Sequence, residues 1–260
     1  MELIFLGTGT SQGVPMIACD CRVCLSEDPR NRRSRTSAHV RLGSTSIQID
    51  AGPEFRAQCL GNGIRALDVF ILTHGHADHI CGMDDLRRFC DLRGGTALPV
   101  YTTGEGADRV RAMFPYADGE IPRAGGYPAF RILPMPEVLE VPGGRIRSTL
   151  LPHGSINVIG LVFEEDATGA KLTYYTDCKE VTPEAERLAR GSQVVVLDGL
   201  RPDPHPTHLH IEAAIEAGRR IGSPRTLLTH LTHAIEHETY SRSLPAGFEL
   251  AYDGLRVRLG

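Results

Sequence analysis

Positions 74 to 79 read His-Gly-His-Ala-Asp-His, directly after the apolar run Val69-Phe70-Ile71-Leu72-Thr73. Three imidazoles and one carboxylate within six positions make a nest for a divalent metal, a density that chance produces in roughly one chain per thousand of this size and composition. Imidazole nitrogen and carboxylate oxygen suit Zn, Mn or Fe alike, so donor type alone does not choose the metal. Side chains alternate along a strand, so His74 and His76 point the same way as long as the backbone stays extended. Asp78 and His79 then open a helix, where Asp78 also suits the electropositive first turn. These four ligands can serve one metal, and they leave room for a second if further ligands arrive from elsewhere.

Further donors stand at the ends of other apolar runs. His153 closes the run that includes Ile146–Leu151, Asp177 closes Leu172-Thr173-Tyr174-Tyr175-Thr176, and His230 closes Thr226-Leu227-Leu228-Thr229. The last of these repeats the Leu-Thr-His ending of Leu72-Thr73-His74. Strand ends of this kind are where α/β proteins collect their chemistry. A separate cluster, Cys19-Asp20-Cys21-Arg22-Val23-Cys24, follows Gly7-Thr8-Gly9-Thr10-Ser11-Gln12-Gly13-Val14-Pro15. Three thiolates this close suit a structural zinc, which needs a fourth ligand for its closed tetrahedral geometry. The Gly-rich stretch lacks the Gly-Lys-Ser/Thr ending of a phosphate cradle, and turn chemistry accounts for its glycines. Arg30, Arg32, Arg33 and Arg35 form a basic run. It reads as a solvated loop, with recognition of a substrate phosphate by guanidinium forks as the functional alternative; Arg201 is a separate candidate for that task.

The elements that must position these residues follow from the apolar pattern. β-rich runs recur at Leu3–Leu6, His39–Leu42, Ser46–Ile49, Val69–Leu72, Pro99–Tyr101, Phe130–Leu133, Arg145–Leu151, Val158–Phe163, Lys171–Tyr175, Val194–Leu197, Thr226–Leu228 and Leu255–Leu259. Helical patterns lie between some of them, at Asp78–Cys90, Glu105–Met113, Pro183–Arg190 and Leu209–Ile221. Thr182 before Pro183 is a cap followed by a first-turn proline, and Gly222 with Pro224 stops the helix before them. The strands are too numerous for one open sheet, and two packed sheets with helices outside satisfy burial best. The stretch from Gly104 to Gly144, rich in Gly and Pro, reads as a connection between two halves of one domain and as a possible lid.

Bulk properties narrow the classes. The 260 residues are 41% hydrophobic and 23% charged, ordinary for a globular protein, and residues 1–260 are read as a single domain. A formal net charge of −4 gives no general attraction to nucleic acid or an anionic membrane. No apolar run approaches bilayer length, and the first residues lack a basic lead, so a cytoplasmic location is expected. Seven unevenly spread cysteines do not make a disulfide framework. Cys59, Cys81, Cys90 and Cys178 read as small buried apolar residues.

On the hexad and the three strand-end donors, the chain resembles the metallo-β-lactamase superfamily over essentially its whole length. The resemblance implies an α/β fold, a four-layer αββα sandwich with two metals at one edge. It implies that His74, His76 and His153 hold the first metal, that Asp78, His79 and His230 hold the second, and that Asp177 bridges them. The Gly-Thr-Gly-Thr-Ser-Gln-Gly-Val-Pro stretch and the cysteine cluster narrow this. So does the closing segment Ser243-Leu244-Pro245-Ala246-Gly247-Phe248-Glu249 with Tyr252-Asp253-Gly254. They are similar to the group around the cyclic-phosphate phosphodiesterase of the carbon–phosphorus lyase pathway. In that group a histidine three residues beyond the last active-site histidine completes the cysteine zinc site, and His233 stands there. The same resemblance makes His208 the general acid, with His210 as its local competitor, and counts Asp78 with it among the catalytic residues. It also implies a homodimer. His39, His205 and His237 carry no assigned role and read as surface or hydrogen-bonded histidines.

The expected activity is that of a binuclear-metal phosphodiesterase acting on a small, cyclic phosphodiester such as a phosphoribosyl cyclic phosphate. A hydroxide bridging the metals would attack phosphorus and His208 would protonate the departing oxygen, so no Ser or Cys nucleophile is required. The expected cofactors are two catalytic divalent metals (Zn or Mn, with Fe as an option) and one structural Zn. A tRNA 3′-processing endonuclease is the first alternative, but it should carry an extended basic arm that is not visible here. A lactonase or thioesterase would use the same metals on a carbonyl, and a His208 placed away from the metals would favour that class.

Overall fold

The structure, a computed structural model, describes residues 1–122 and 124–260. In chain order the strands of the N-terminal half are β1 (Glu2–Gly7), β2 (Ser37–Leu42), β3 (Thr45–Ile49), β4 (Val69–Ile71), β5 (Leu98–Thr102) and β6 (Phe130–Pro134). Those that follow are β7 (Val138–Val141), β8 (Gly144–His153), β9 (Ile156–Glu165), β10 (Lys171–Tyr175), β11 (Val194–Asp198), β12 (Arg225–Thr229), β13 (Phe248–Leu250) and β14 (Arg256–Arg258). The α-helices are α1 (Phe55–Asn62), α2 (Ala77–Ile80), α3 (Arg87–Leu92), α4 (Gly104–Met113), α5 (Pro183–Ala189), α6 (Ile211–Ile221) and α7 (His237–Ser243). Among the described residues, no helix is long and apolar enough to cross a membrane.

The strands form two seven-stranded sheets, ordered β14-β1-β2-β3-β4-β5-β6 and β13-β12-β11-β10-β9-β8-β7. Each is built the same way. Antiparallel pairing runs as far as β3 in one and β10 in the other, and parallel pairing runs beyond. Parallel neighbours need crossover connections, which is why α1 to α4 and α5 to α7 fall between the parallel strands of their own sheet. Alternation along the strands then makes three apolar layers. Val194 and Val196 of β11 join Phe5, Ile49 and Ile71 between the sheets, while Val195 and Leu197 turn outward to Ala214, Ala217 and Ile221 of α6. On the other side Phe70, Leu98 and Val100 meet Phe55 of α1 and Val110 of α4. The result is the expected αββα sandwich. The C-terminal ends of β3, β4, β8, β10, β11 and β12 meet at one edge.

Several local expectations are corrected. The helical pattern Asp78–Cys90 breaks into α2, a 3-10 turn at Met83–Leu86 and α3. The break falls at Gly82, whose amide donates to the Ala51 carbonyl at 2.8 Å and where a Cβ would lie 2.0 Å from the Gly52 carbonyl oxygen. The stretch Gly104–Gly144 is no bare connection, since it contains α4, β6 and β7. Turn chemistry does not account for Gly7 either, because a Cβ there would sit 2.0 Å from the Arg35 carbonyl oxygen. Cys59, Cys90 and Cys178 are buried, but Cys81 is exposed.

Candidate metal centre and its cavity

β4 ends at Ile71 and three residues later delivers His74 to the shared edge; His76, as the N-cap of α2, follows in extended conformation. His74 Nε2 and His76 Nδ1 approach to 2.9 Å, and His153 Nε2, from the end of β8, lies 3.3 Å from His76 Nδ1. A second group adjoins the first. His79 Nε2 is 3.4 Å from both Asp78 Oδ2 and Asp177 Oδ1, and His230 Nε2 is 3.3 Å from Asp177 Oδ1. Asp177 also groups with His74 and His79, which places it between the two sets.

The frame around these donors fixes their tautomers. His79 Nδ1 donates to Asp50 Oδ2 (2.7 Å), His153 Nδ1 to the Thr207 carbonyl (3.1 Å) and His230 Nδ1 to Thr36 Oγ1 (2.9 Å). The Thr36 hydroxyl is itself committed to the Gly9 carbonyl at 2.8 Å, so it accepts from the ring. His74 Nδ1 meets Thr73 Oγ1 at 3.1 Å, and that hydroxyl donates to Asp50 at 2.8 Å. Each of these four rings is therefore held through its Nδ1 proton and turns Nε2 into the cluster. Asp50, Asp177 and His230 all have φ near +58° (58°, 57° and 58°), a conformation costly for non-glycine residues and held here by the surrounding structure.

The donors fit a cation. Zn–N bonds of about 2.0–2.1 Å put the nitrogens of a tetrahedral site about 3.3 Å apart, close to the separations found here. His79 Nε2 and Asp177 Oδ2 are buried without a hydrogen-bond partner, an expensive arrangement that a coordinated cation resolves. Burial disfavours charge on His79, but Asp177, Asp50 and Asp78 outweigh it and hold its pKa well above the ordinary histidine value. Burial likewise opposes ionisation of Asp177, and His230 and His79 overcome it and hold its pKa well below the carboxylate range. The pocket is built for positive charge.

The cysteine cluster is a second candidate. Cys19, Cys21 and Cys24 sulfurs lie 3.3, 3.5 and 3.7 Å from His233 Nδ1, against about 3.6 Å for S and N donors around tetrahedral zinc. The Cys24 amide donates to Cys21 Sγ at 3.4 Å, which favours the thiolate and lowers the Cys21 pKa to about 6.

A cavity of about 340 Å³ opens over the histidine–aspartate cluster, walled in part by Ser11, His76, Asp78, His153, Ser155 and His208. The His208 ring stacks on His230 (4.8 Å, 14°) and meets His153 edge-on at 4.7 Å. Its Nδ1 donates to Asp198 Oδ2 at 2.9 Å, and Asp198 also accepts from the Asp177 and Cys178 amides at 2.6 and 2.9 Å. Burial disfavours the His208 cation, yet the hydrogen bond to Asp198 outweighs it and raises the pKa. His210 instead occupies the N-cap of α6, half-buried and outside the cavity wall.

The arginine run is a solvated loop only in part: Arg32 is exposed, but the other three are engaged. Arg33 is buried and donates to the Thr232 and Ile235 carbonyls at 2.8 Å each, Arg30 pairs with Asp28 and Glu238, and Arg35 pairs with Glu54. Arg201 is spent on the Asp203 and Pro204 carbonyls. His39 and His237 are buried, and His39 Nε2 is hydrogen-bonded with Ser46 Oγ at 3.2 Å. Asp50, Asp198 and Thr36 were missed in the sequence. Asp50 and Asp198 were within reach of the strand-end rule, since each closes an apolar run just as Asp177 does.

The comparisons with known proteins agree with this fold. The family model of the β-lactamase superfamily domain matches residues 45–231. The crystal structure of a diphosphatase from the PhnP family superposes with a TM-score of 0.89 and 34% identity, covering 99% of this chain and 97% of that one. The octanoyltransferase of Porphyromonas gingivalis is 35% identical over 265 residues. That alignment takes in 99% of this chain but 51% of that protein, so the chain spans about half that relative's length. Ribonuclease Z of Bradyrhizobium sp. (strain ORS 278) is 28% identical over 247 residues, 76% of each protein. The chain belongs to the β-lactamase superfamily.

Proposed function

We propose that the chain is a binuclear-metal phosphodiesterase that opens a phosphodiester bond in a small molecule, a cyclic phosphate above all. One observation carries the reading: His208, held by Asp198, faces the same cavity as the histidine–aspartate cluster and stacks on His230. Hydrolysis of an unactivated diester adds water across a P–O bond and expels an alkoxide, which needs a proton as the bond breaks. His208 Nε2 is free to give that proton, and the Asp198 carboxylate keeps the ring oriented and its charge balanced. His74, His76 and His153 would hold one cation and Asp78, His79 and His230 the other, with Asp177 shared. Such a pair supplies Lewis acidity and hydroxide near neutral pH. The likeness to a diphosphatase at 34% identity supports phosphorus as the reacting centre. The cavity volume of about 340 Å³ supports a small substrate over a folded RNA.

The test is turnover by the protein loaded with Mn or Zn. Bis(p-nitrophenyl) phosphate and nucleoside 2′,3′-cyclic phosphates should be hydrolysed, and a panel of lactones and thioesters should not. Turnover confined to the carbonyl panel overturns the reading. Cleavage of a precursor tRNA in preference to the small diesters replaces it with the endonuclease.

A further inference from the structure

The segment between β11 and α6 carries His208, and its backbone is clasped by two basic side chains, one of them its own. Arg201 donates to the Asp203 and Pro204 carbonyls at 3.2 and 2.8 Å, and Lys179 Nζ donates to the His205 carbonyl. The Lys179 amide in turn donates to the Pro152 carbonyl at 2.7 Å, next to His153. Pro202, Pro204 and Pro206 stiffen the segment and carry no N–H. Inside the clasp the half-buried His205 side chain folds back on its own chain. Its Nδ1 accepts from the Thr207 amide at 3.3 Å and from the Thr207 hydroxyl at 3.2 Å. This is the imidazole counterpart of an Asx turn, in which a side-chain acceptor takes the N–H two residues on.

Thr207 is the residue on which two functional side chains depend. Its carbonyl accepts from His153 Nδ1 at 3.1 Å, and the next residue is His208. The His205 ring also packs on the His208 ring, with centroids 5.2 Å apart and planes at 49°. We propose that His205 is a positioning residue: by holding Thr207 it sets the orientation of His153 in the metal cluster and of His208 in the cavity at the same time. The inference rests on the reading of the cluster as a metal centre and of His208 as the acid.

The role needs a neutral ring, because an imidazolium has two donors and nothing to accept with. Burial, with His208, Arg201 and Lys179 nearby, holds the His205 pKa below the ordinary histidine value, so the Nδ1 lone pair persists at neutral pH. The acceptor is therefore the working group, and the proton is not. Asparagine places its Oδ1 on Cγ, as histidine places Nδ1, and so keeps the acceptor while deleting the titrating ring.

Three proteins decide the matter: wild type, His205→Ala and His205→Asn, each measured for metal affinity by competition with a chromophoric chelator and for kcat and KM on a nucleoside 2′,3′-cyclic phosphate, whose alkoxide leaving group needs the acid. His205→Ala should weaken metal binding and lower kcat, each about 10-fold, the scale on which outer partners of metal ligands act, with KM nearly unchanged. His205→Asn should restore most of both losses, and thermal melts confirm that both variants are folded. An Ala variant that matches wild type in both readouts overturns the proposal. So does an Asn variant as impaired as Ala, which would assign the effect to the ring's titration or bulk. If the wild type turns over no diester, the proposed function fails by itself, and the chelator competition still decides whether His205 supports His153.

Discussion

The two donor clusters draw on one short segment, since His230 and His233 stand three residues apart, yet they are held in opposite ways. The histidine–aspartate cluster sits on strand exits. Asp50, Asp177 and His230 follow β3, β10 and β12 within two residues, and Nδ1 of His74, His79, His153 and His230 is tied to an acceptor in that frame. The cysteine cluster sits on the long loop between β1 and β2, where the described regular structure is one 3-10 turn at Pro29–Asn31. What joins that loop to His233 is Arg33, buried to the point that its pKa is pushed down to about 10, with its guanidinium on the carbonyls of Thr232 and Ile235. One cluster is positioned by the sheets. The other is positioned by a loop that Arg33 ties to the segment carrying His233. The first arrangement suits chemistry, which needs fixed geometry, and the second suits cross-linking.

That comparison can be broken most decisively at Asp177. Asp177→Asn removes the carboxylate shared by both donor sets and should abolish metal retention at the strand-exit cluster together with diester turnover. Metal analysis by mass spectrometry checks it, and a variant retaining its full complement of catalytic metal would show that the donors are wrongly grouped. His208→Ala comes next. Here the proposed role in protonating the leaving group predicts that kcat on a nucleoside 2′,3′-cyclic phosphate falls by about 10²–10⁴ while metal content stays at the wild-type level. Loss of metal in this variant would make His208 a ligand instead.

Asp50→Asn probes the frame without touching a donor. Asp50 is fully buried and accepts from the Thr73 amide, the Thr73 hydroxyl and His79 Nδ1 at 2.8, 2.8 and 2.7 Å. An amide in its place cannot satisfy three donors, so metal affinity should drop about 10–100-fold. The fold should lose about 1–3 kcal/mol, read from a denaturant melt of the metal-free protein. An unchanged affinity would mean that the strand exits alone orient His79, and the contrast between the clusters would be correspondingly weaker.

The parts of this site legible in the sequence share one property: they repeat. The hexad follows an apolar run, and His153, Asp177 and His230 do the same, so a single rule about strand ends found them. Asp50 and Asp198 obey the same rule, but a lone aspartate after an apolar run is common enough to pass for a turn residue. Arg33 was beyond any local reading, because its partners lie 199 and 202 positions away and nothing in Arg30–Arg35 says which arginine is buried. The break at Gly82 was hidden for the same reason: the atom that forbids a side chain there belongs to Gly52. Helices α1 and α7 were missed because neither carries a clear apolar stripe. α7 starts on Glu236, whose side chain accepts from the Glu238 and Thr239 amides. Patterns within a strand or at its end are visible in one dimension, whereas close approaches of distant backbone are not.

The smallest effect on chemistry, and the sharpest on stability, should come from Cys21→Ser. The Cys21 sulfur lies 3.5 Å from His233 Nδ1 and is the thiol most ready to ionise, so its loss leaves three donors where closed tetrahedral coordination needs four. Metal content should fall by one equivalent, and the melting temperature of the metal-loaded protein should drop on the order of 10 °C. Turnover per folded molecule should change less than in any variant above, because the tie between the two clusters runs through backbone that the sheets hold. The Leu231 amide donates to the Thr8 carbonyl at 2.8 Å, and Asp253 accepts from the Thr8 and Ser34 amides at 2.8 and 2.7 Å. A fall in kcat as large as that of His208→Ala, measured on protein shown to be folded, would mean that His233 moves His230 with it. The two clusters would then be one mechanical unit.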